Sequence, residues 1–337
     1  MLEKLENINL LDSVVVLNDF FLDRIISISD LDKVYSQILE KSKLGGSIRG
    51  IPQKDLKGGN ATNVAYALAR LGCPVSLITV ADKAGSALLT EIFSEFENAS
   101  LFVIDGKPGR TTALEFRDGR NIVNVMLSDL GDNENFGPEK LGAKEQQALK
   151  NSKAVIVANW ASNKKGTELS KFAFEKSGAA LHLLDPADIQ TRPKEFKEAI
   201  NELRSNLNSL CINENECNIL LKQYGLGTIS DTEGTKKLVQ ELAKNISIAI
   251  DLHIASGSYW SNGSEVEFVK SFQVEPVIVT GAGDVWDAAN ILGYLANLST
   301  QERLVFANGA SALYIKNTQG DPPTLHEVLS FVAKNQT

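Results

Sequence analysis

A glycine-rich turn with one carboxylate lies near the C-terminus of the chain, at Gly281-Ala282-Gly283-Asp284. The small residues allow a tight turn with free backbone N–H groups, and the helical pattern that follows adds the positive end of a helix dipole. Such a turn is suited to bind an anion such as a phosphate. A carboxylate such as Asp284 is repelled by a bound phosphate unless it has a role beside it. The natural role is to accept a proton from a hydroxyl that attacks the phosphate. The residues therefore indicate a small-molecule kinase with Asp284 as its base.

A second glycine motif lies in the N-terminal half, at Gly58-Gly59-Asn60-Ala61-Thr62-Asn63. It opens a helical pattern that ends at Gly72, a typical C-terminal stop. Asn63 lies inside this predicted helix, where asparagine has poor propensity, so its amide is a candidate for binding a polyhydroxy ligand. Asn60 has the ordinary alternative of helix capping. For Asp284, capping is an equal alternative when its turn is taken alone, and the second motif favours catalysis.

The elements that must position these motifs alternate between short apolar runs and helical patterns. This alternation predicts a parallel sheet with helices on both faces. The residues Val277, Ile278 and Val279 are predicted to form the buried end of a strand directly before the glycine turn. Antiparallel runs around an Asp118-Gly119 turn predict a small second sheet, suited to act as a lid. Asp19 follows the first predicted strand, where open sheets bind ligands, but loop solvation or helix capping is the simpler interpretation.

Composition limits the classes of partner. The chain has 337 residues and a formal net charge of −8, which argues against nucleic acid or a membrane surface as the main partner. Its three cysteines have no metal-like spacing and leave one over, which is typical of a reducing compartment. No signal peptide or membrane span is apparent, so we expect a cytoplasmic protein. The three histidines lie far apart in the chain, and we expect no metal site built on them.

The two glycine motifs occur in a familiar order and separation, with Asn213-x-x-Glu216 between them. In these features the chain resembles the ribokinase-like (PfkB) carbohydrate kinases over nearly its whole length. The resemblance implies an α/β fold, a three-layer α/β/α sandwich with a mostly parallel central sheet and a small β lid. It implies a single domain over residues 1–337, with lid strands from roughly 20–57 and 101–128. The implied activity is phosphoryl transfer from ATP to a hydroxyl of a sugar or nucleoside, with Mg²⁺ as cofactor.

The resemblance also implies roles for individual residues. The implied acceptor site consists of Asp23, Gly58, Gly59 and Asn63. The implied catalytic turn consists of the anion hole Gly281, Ala282 and Gly283 and the base Asp284. The implied donor side consists of Asp185, Asn213, Glu216, Ala255, Gly257 and Asn308. Within that group, Asn213 and Glu216 would order magnesium and phosphate, largely through water. A homodimer through the lid is an ordinary assembly in this family.

Some positions depart from the family pattern. Family members usually carry Asp-Thr upstream of the glycine turn, at a position linked to a monovalent cation, where this chain has Ile278-Val279. Two glycines of the usual nucleotide loop are replaced by Ala255 and Ser258. Trp286 and Asp287, just after the proposed base, are predicted to be packing and surface residues.

These departures leave several alternatives open. The acceptor, the choice between ATP and ADP as donor, and the dependence on a monovalent cation are not determined by the motifs. The alternatives are an ADP-dependent or phosphosugar-specific kinase of the same fold, and a non-catalytic regulator that binds a sugar or nucleotide. A dinucleotide-binding dehydrogenase is disfavoured, because no Gly-x-Gly-x-x-Gly follows the first predicted strand.

Overall fold

A computed structural model describes residues 4–5, 13–118, 121–178 and 180–335. Its strands in chain order are β1 Val14–Asn18, β2 Phe21–Ile28, β3 Gln53–Gly58, β4 Val75–Ala81, β5 Ala99–Asp105, β6 Gly109–Asp118, β7 Asn121–Asp129, β8 Ala154–Ala158, β9 Leu181–Asp185, β10 Ser209–Asn213, β11 Ala249–Ile254, β12 Gly257–Ser261 and β13 Val266–Lys270. Its helices are α1 Leu31–Leu44, α2 Asn60–Arg70, α3 Lys83–Phe93, α4 Ala143–Asn151, α5 Gly166–Ser177, α6 Pro193–Leu203, α7 Glu214–Gln223, α8 Thr232–Ile246, α9 Ala282–Leu295, α10 Thr300–Ile315 and α11 Leu325–Asn335. Across these ranges, no helix combines the length and the apolar character needed to cross a bilayer.

Nine strands form one large sheet in the order β13-β12-β11-β10-β9-β8-β1-β4-β5. Pairing is parallel from β5 to β11, and the last two strands are antiparallel. The central strands β1 and β8 are buried along their whole length, as expected for apolar runs covered by helices on both faces. One core cluster packs residues of α2, α9, α10 and α11 on one face, and another packs α5 to α8 on the opposite face. The predicted three-layer α/β/α fold is confirmed.

A second sheet contains four strands in the order β3-β2-β6-β7. Strand β2 pairs in parallel with β6 and antiparallel with β3, where Arg24 and Asp55 form an ion pair at 2.6 Å. Strand β5 pairs with β4 at the edge of the large sheet, so the small sheet resumes at Gly109 and not near residue 101. Gly119 of the predicted turn lies outside the described ranges, as does the next residue.

The apolar run before the catalytic turn is not a strand, which corrects the sequence-based prediction. Val277 and Val279 are 57% and 68% exposed. The N–H groups of Val277 and Ile278 donate to the carbonyl of Ile315 at the end of α10, while Ile278 packs on the core. A helix C-terminus thus supplies the backbone partner for a run that resembles a strand in sequence. The large sheet has already ended at β13.

The predicted nucleotide loop around residues 253–258 is a tight hairpin. Strand β11 continues to Ile254, and β12 begins at Gly257, so only Ala255 and Ser256 form the turn. Gly257 pairs with Lys270 of β13. Strand β12 was missed because Gly257 and Ser258 resemble a loop in sequence, although Tyr259 and Trp260 are residue types that strands favour.

Candidate active site

The predicted catalytic turn forms the N-terminus of α9. Gly281 is the N-cap with a φ of 86°, a left-handed conformation that glycine adopts without strain, and a Cβ there would lie 2.7 Å from the Tyr314 hydroxyl. Gly281 offers no side chain to cap the first N–H groups of α9. The Ala282 N–H donates to the Val279 carbonyl at 3.2 Å, and the N–H groups of the turn without a backbone acceptor, with the helix dipole behind them, can bind an anion. Asp284 is buried in the first turn of the same helix.

A hydrogen bond joins the two glycine motifs. The Asn63 side-chain amide in the first turn of α2 donates to Asp284 Oδ2 at 2.9 Å, across 221 residues of sequence. The structure therefore brings the predicted acceptor motif to the predicted base. This hydrogen bond also explains why an asparagine lies inside a helix. The Asn63 side chain bonds to a residue of another helix and so does not compete for the backbone of its own helix.

Asp19 fixes the start of α2. Its carboxylate accepts hydrogen bonds from the backbone N–H of Ala61 at 2.7 Å, from that of Asn60 at 3.2 Å and from the Asn159 side chain at 2.7 Å. The glycine at the N-cap, Gly59, supplies no side-chain cap of its own. The capping interpretation of Asp19 is thus confirmed, with the refinement that the cap comes from a different element.

Asp23 extends from β2 over the double glycine. Its carboxylate occupies the space that a Cβ at Gly58 would fill, so only glycine permits this approach. Asp23 Oδ1 is buried and has no hydrogen-bond partner in the described part of the chain. Burial raises the pKa of Asp23 to about 6, while a hydrogen bond from Thr111 opposes the shift. A sugar hydroxyl could supply the partner that this oxygen lacks.

Burial also controls the charge of Asp284. Removal from water raises the pKa of its carboxyl well above the usual range, and the neighbouring charge of Asp185 adds to the shift. The Asn63 hydrogen bond and the positive charge of Lys57 act in the opposite direction. Lys57 Nζ lies 4.3 Å from the centre of the Tyr66 ring, close enough to Asp284 for attraction. These two partners favour the ionised form that a general base needs.

The Asn213-x-x-Glu216 element forms a capping box at the start of α7. Asn213 Oδ1 accepts from the Glu216 N–H, and both Glu216 carboxylate oxygens accept from Asn213, at 2.8 and 2.6 Å. Asp185, at the end of β9, accepts from the Asn60 side chain at 3.4 Å and is an electrostatic neighbour of Glu216. Within residues 13–118, 121–178 and 180–335, no three acidic, histidine or cysteine side chains are placed to hold one metal ion directly.

We expect the stability of the protein to fall with pH through Glu216. Burial, then the charge of Asp185, raises the pKa of Glu216 from 4.5 to about 9, so the folded state keeps a proton that the unfolded chain releases. The free energy of unfolding should therefore fall as the pH rises from about 4.5 to about 9. Glu216→Gln should flatten this slope, because glutamine keeps the capping box without the charge.

Urea unfolding in EDTA at about pH 5 and about pH 8.5 measures the slope. The control is Glu214→Gln, which removes an exposed charge from the same turn and should leave the slope as in the wild type. Equal slopes for the wild type and Glu216→Gln would show that this carboxyl does not hold the proton.

A cavity of about 540 Å³ lies beside the catalytic turn, away from the acceptor motif. Ala282 and Gly283 line it at the turn, and Asn213 lines it at the start of α7. Of the other predicted donor-side residues, Ala255 and Asn308 also line it, whereas Asp185, Glu216 and Gly257 do not. The volume and the mixed polar and apolar lining suit a nucleotide-sized ligand.

The amide of Asn308 is engaged within the protein. Its Oδ1 accepts from Trp286 Nε1 at 2.9 Å, and its Nδ2 donates to the Val269 carbonyl at 3.1 Å. Asn308 therefore ties α9, α10 and β13 together along the cavity wall. Because both polar atoms of the Asn308 side chain already have partners, Asn308 would contribute to a nucleotide site by shaping the cavity wall.

Two buried polar residues were missed from sequence. Asn159 follows the buried strand β8 in a left-handed conformation, with a φ of 56°, and donates to Asp19. Its position directly after a strand was the available signal. Asp287, predicted to lie on the surface, is only 1% exposed. The spacing of apolar residues in α9 did not indicate the burial of Asp287. The residues from 284 to 293 are all buried, so this part of the helix has no exposed face.

Comparison with known proteins identifies the family of the chain. The family model described as "pfkB family carbohydrate kinase" matches residues 42–326. A ribokinase of Lactococcus lactis is 28% identical over 280 residues, which cover 80% of this chain and 84% of that protein. Arabidopsis thaliana ribokinase complexed with ribose and ATP has a TM-score of 0.75 at 20% identity, covering 95% of this chain and 98% of that chain. Adenosine kinase from Sinorhizobium meliloti has a TM-score of 0.70 at 19% identity, with coverage of 96% and 98%. The chain therefore belongs to the pfkB family of carbohydrate kinases, phosphotransferases whose acceptor is a hydroxyl group.

Proposed function

We propose that the protein transfers the γ-phosphoryl group of ATP to a hydroxyl of a sugar or nucleoside, with Asp284 as the general base. The observation that carries the proposal is the hydrogen bond between Asn63 and Asp284. It joins the acceptor motif to the start of α9, and the donor-sized cavity begins at Ala282 and Gly283 on the same turn. A base between an acceptor site and a phosphate site is what in-line transfer requires.

The acceptor would lie between the small sheet and α2. Asp23 lies directly over Gly58 and offers a buried oxygen that has no hydrogen-bond partner among the described residues. A carboxylate and an amide together accept and donate hydrogen bonds, as a polyhydroxy ligand requires. The relatives that bind ribose or act on adenosine support a ribose-containing acceptor as the first class to test.

The reaction itself needs one proton transfer. As the acceptor hydroxyl attacks, its proton passes to an Asp284 oxygen, the new oxygen–phosphorus bond forms, and the bond from the γ-phosphorus to the β-bridging oxygen breaks. The backbone N–H groups of Gly281 and Gly283 would stabilise the negative charge of the transferring phosphoryl oxygens, whereas the Ala282 N–H already donates to the Val279 carbonyl at 3.2 Å. The departing group is the nucleoside diphosphate, which the cavity would retain and then release.

The donor side fits a magnesium ion in its chemistry. Asp185 and, once deprotonated, Glu216 would supply carboxylate oxygens, and Asp287 Oδ1 is buried without a hydrogen-bond partner in the described part of the chain. Magnesium prefers oxygen ligands and is commonly bound by one or two carboxylates together with phosphates and water. When bound, it would neutralise charge on the donor phosphates. Asn213 would then orient Glu216, as it already does through two hydrogen bonds.

Asp23→Asn should weaken acceptor binding selectively. The amide retains the shape of the carboxylate but loses its charge, and hydrogen bonds to charged groups contribute about 1.5–3 kcal/mol. We expect the acceptor KM to rise about 10–100-fold with the donor KM unchanged. The matched control is Asp55→Asn on the adjacent strand, whose carboxylate is exposed and paired with Arg24. An unchanged acceptor KM in Asp23→Asn would remove Asp23 from the acceptor site.

A panel of acceptors tests the proposed function. Pentoses, hexoses, phosphorylated sugars and nucleosides would each be incubated with ATP and, separately, with ADP, and nucleotide turnover would be followed with and without acceptor. We expect acceptor-dependent consumption of ATP. Consumption of ADP alone would move the assignment to an ADP-dependent kinase. Binding of an acceptor without turnover would move it to a non-catalytic regulator.

A further inference from the structure

The imidazole of His253, near the end of β11, lies against the predicted catalytic turn. A Cβ placed on Gly283 would lie 3.0 Å from His253 Cε1, 3.4 Å from its Nε2 and 4.0 Å from its Nδ1. The ring also packs on Trp286, with the two ring centres 5.2 Å apart. Both His253 and Gly283 line the cavity of about 540 Å³. His253 therefore lies at the end of this cavity where α9 begins.

The ring nitrogens of His253 have no partner in the protein. No hydrogen bond joins them to any residue that the structure describes. The buried histidine His182, by contrast, bonds through both nitrogens, to Ser177 at 2.8 Å and to the Asn206 carbonyl at 2.6 Å. His253 is partly exposed, and the space beside it is the cavity. Its nitrogens are therefore available to a ligand that enters there.

The charge state of His253 suits a hydrogen bond to an anion. Burial lowers the pKa of the imidazole to about 4, although the negative charge of Asp251 opposes the shift. The ring is therefore neutral at neutral pH, with one N–H group and one bare nitrogen. Nε2 is the ring nitrogen nearer to the turn, so a proton on Nε2 gives the tautomer that can donate to an anion bound there.

We propose that His253 is a nucleotide-binding residue, which donates a hydrogen bond from Nε2 to a phosphate oxygen held at the predicted catalytic turn. The proposal rests on the proposed function, since it requires the phosphates of ATP to lie at the N-terminus of α9. A phosphate group has several oxygens, so one can accept from the Gly283 N–H while another accepts from the adjacent imidazole. His253 would thus help to hold the transferred group beside Asp284, the next residue of the turn.

Two substitutions separate this hydrogen bond from simple packing. His253→Phe keeps an aromatic ring against Gly283 and Trp286 but has no N–H group, whereas His253→Gln has an N–H group at similar reach but no ring. Calorimetric titration with Mg²⁺ and the β,γ-imido analogue of ATP measures the Kd without turnover and without an acceptor. We expect His253→Phe to raise the Kd about 10–100-fold and His253→Gln to stay within about threefold of the wild type.

The control is His326→Gln. His326 is exposed in α11 and does not line the cavity, so its loss should leave the Kd as in the wild type. Circular dichroism would show that each variant keeps the fold. A wild-type Kd in His253→Phe would overturn the proposal, because a ring without an N–H group would then suffice. An equal loss in His253→Gln and His253→Phe would also overturn it, because glutamine can donate the same hydrogen bond.

A crystal structure of the wild type with the same analogue tests the contact without any variant. We expect a phosphate oxygen about 2.7–3.2 Å from Nε2. Phosphate oxygens that all lie more than about 3.5 Å from both ring nitrogens would contradict the contact.

The titrations also separate this proposal from the proposed function. If the wild type and His253→Phe bind the analogue equally, only the His253 contact fails, and Asp284 keeps its assignment. If the wild type does not bind the analogue, both the proposed use of ATP and the His253 contact fail.

Discussion

Replacing Asp284 by asparagine should lower kcat by about 10²–10⁴-fold, the usual contribution of a general base. Asparagine has almost the same shape and can still accept the hydrogen bond from Asn63, so helix α9 and its packing should be retained. The loss should appear in kcat rather than in the KM for either substrate, because proton acceptance occurs only in the transition state. Steady-state kinetics would measure kcat and KM, and circular dichroism would show whether the fold is retained.

The control for this variant is Asp321→Asn. Asp321 is exposed and, like Asp284, interacts electrostatically with Lys57, so its loss changes the local charge without touching the catalytic turn. We expect nearly wild-type turnover from it. If Asp284→Asn also keeps more than about a tenth of wild-type kcat, Asp284 is a first-turn helix acid and another group takes the proton.

The second large effect is expected in stability, at the buried ion pair of Arg303 and Asp251. Arg303 is 2% exposed, its Nη1 lies 2.6 Å from Asp251 Oδ1, and its guanidinium lies 3.8 Å from the centre of the Tyr294 ring. It also donates to Asn290. Arg303→Met should lower the free energy of unfolding by about 3–5 kcal/mol, because it leaves Asp251 buried without its counter-charge.

Glu302, the residue next to Arg303, belongs to an exposed ion pair that serves as the matched control. Lys4 and Glu302 form an exposed pair at 3.3 Å, beside Arg303 at the start of α10. Lys4→Met should change the free energy of unfolding by no more than about 1 kcal/mol. Urea unfolding of both variants tests the comparison. Similar losses in the two would mean that burial does not set the strength of the Arg303 pair.

The two glycine motifs could be predicted from sequence because glycine, asparagine and aspartate at fixed spacing have few structural uses. In the structure they are joined by the hydrogen bond between Asn63 and Asp284. These residues lie 221 positions apart in the sequence, a separation that no local sequence pattern can predict. The alternation of strands and helices was equally informative, because apolar runs flanked by amphipathic helices allow few arrangements. Both inferences rest on side-chain chemistry and periodicity, which sequence contains directly.

The failures share a different physical origin. Val277 and Val279 have a strand-like pattern, yet their run lies against the end of α10, a partner distant in sequence. Strand β12 was missed because it begins with Gly257 and Ser258, which resemble a loop, whereas in the structure it pairs with a strand on each side. Asp287 was placed at the surface because aspartate usually is. Tertiary contacts determined the outcome in each case.

The most direct test of the account is product formation by the wild type beside Asp284→Asn. Phosphorus NMR would follow ATP with the best acceptor from the panel and Mg²⁺. We expect a new phosphomonoester signal that grows with the loss of the ATP γ-phosphate in the wild type, and growth at least about 10²-fold slower in the variant. Equal growth in both would contradict the assignment of Asp284. Release of inorganic phosphate without a phosphomonoester would contradict transfer to a hydroxyl acceptor.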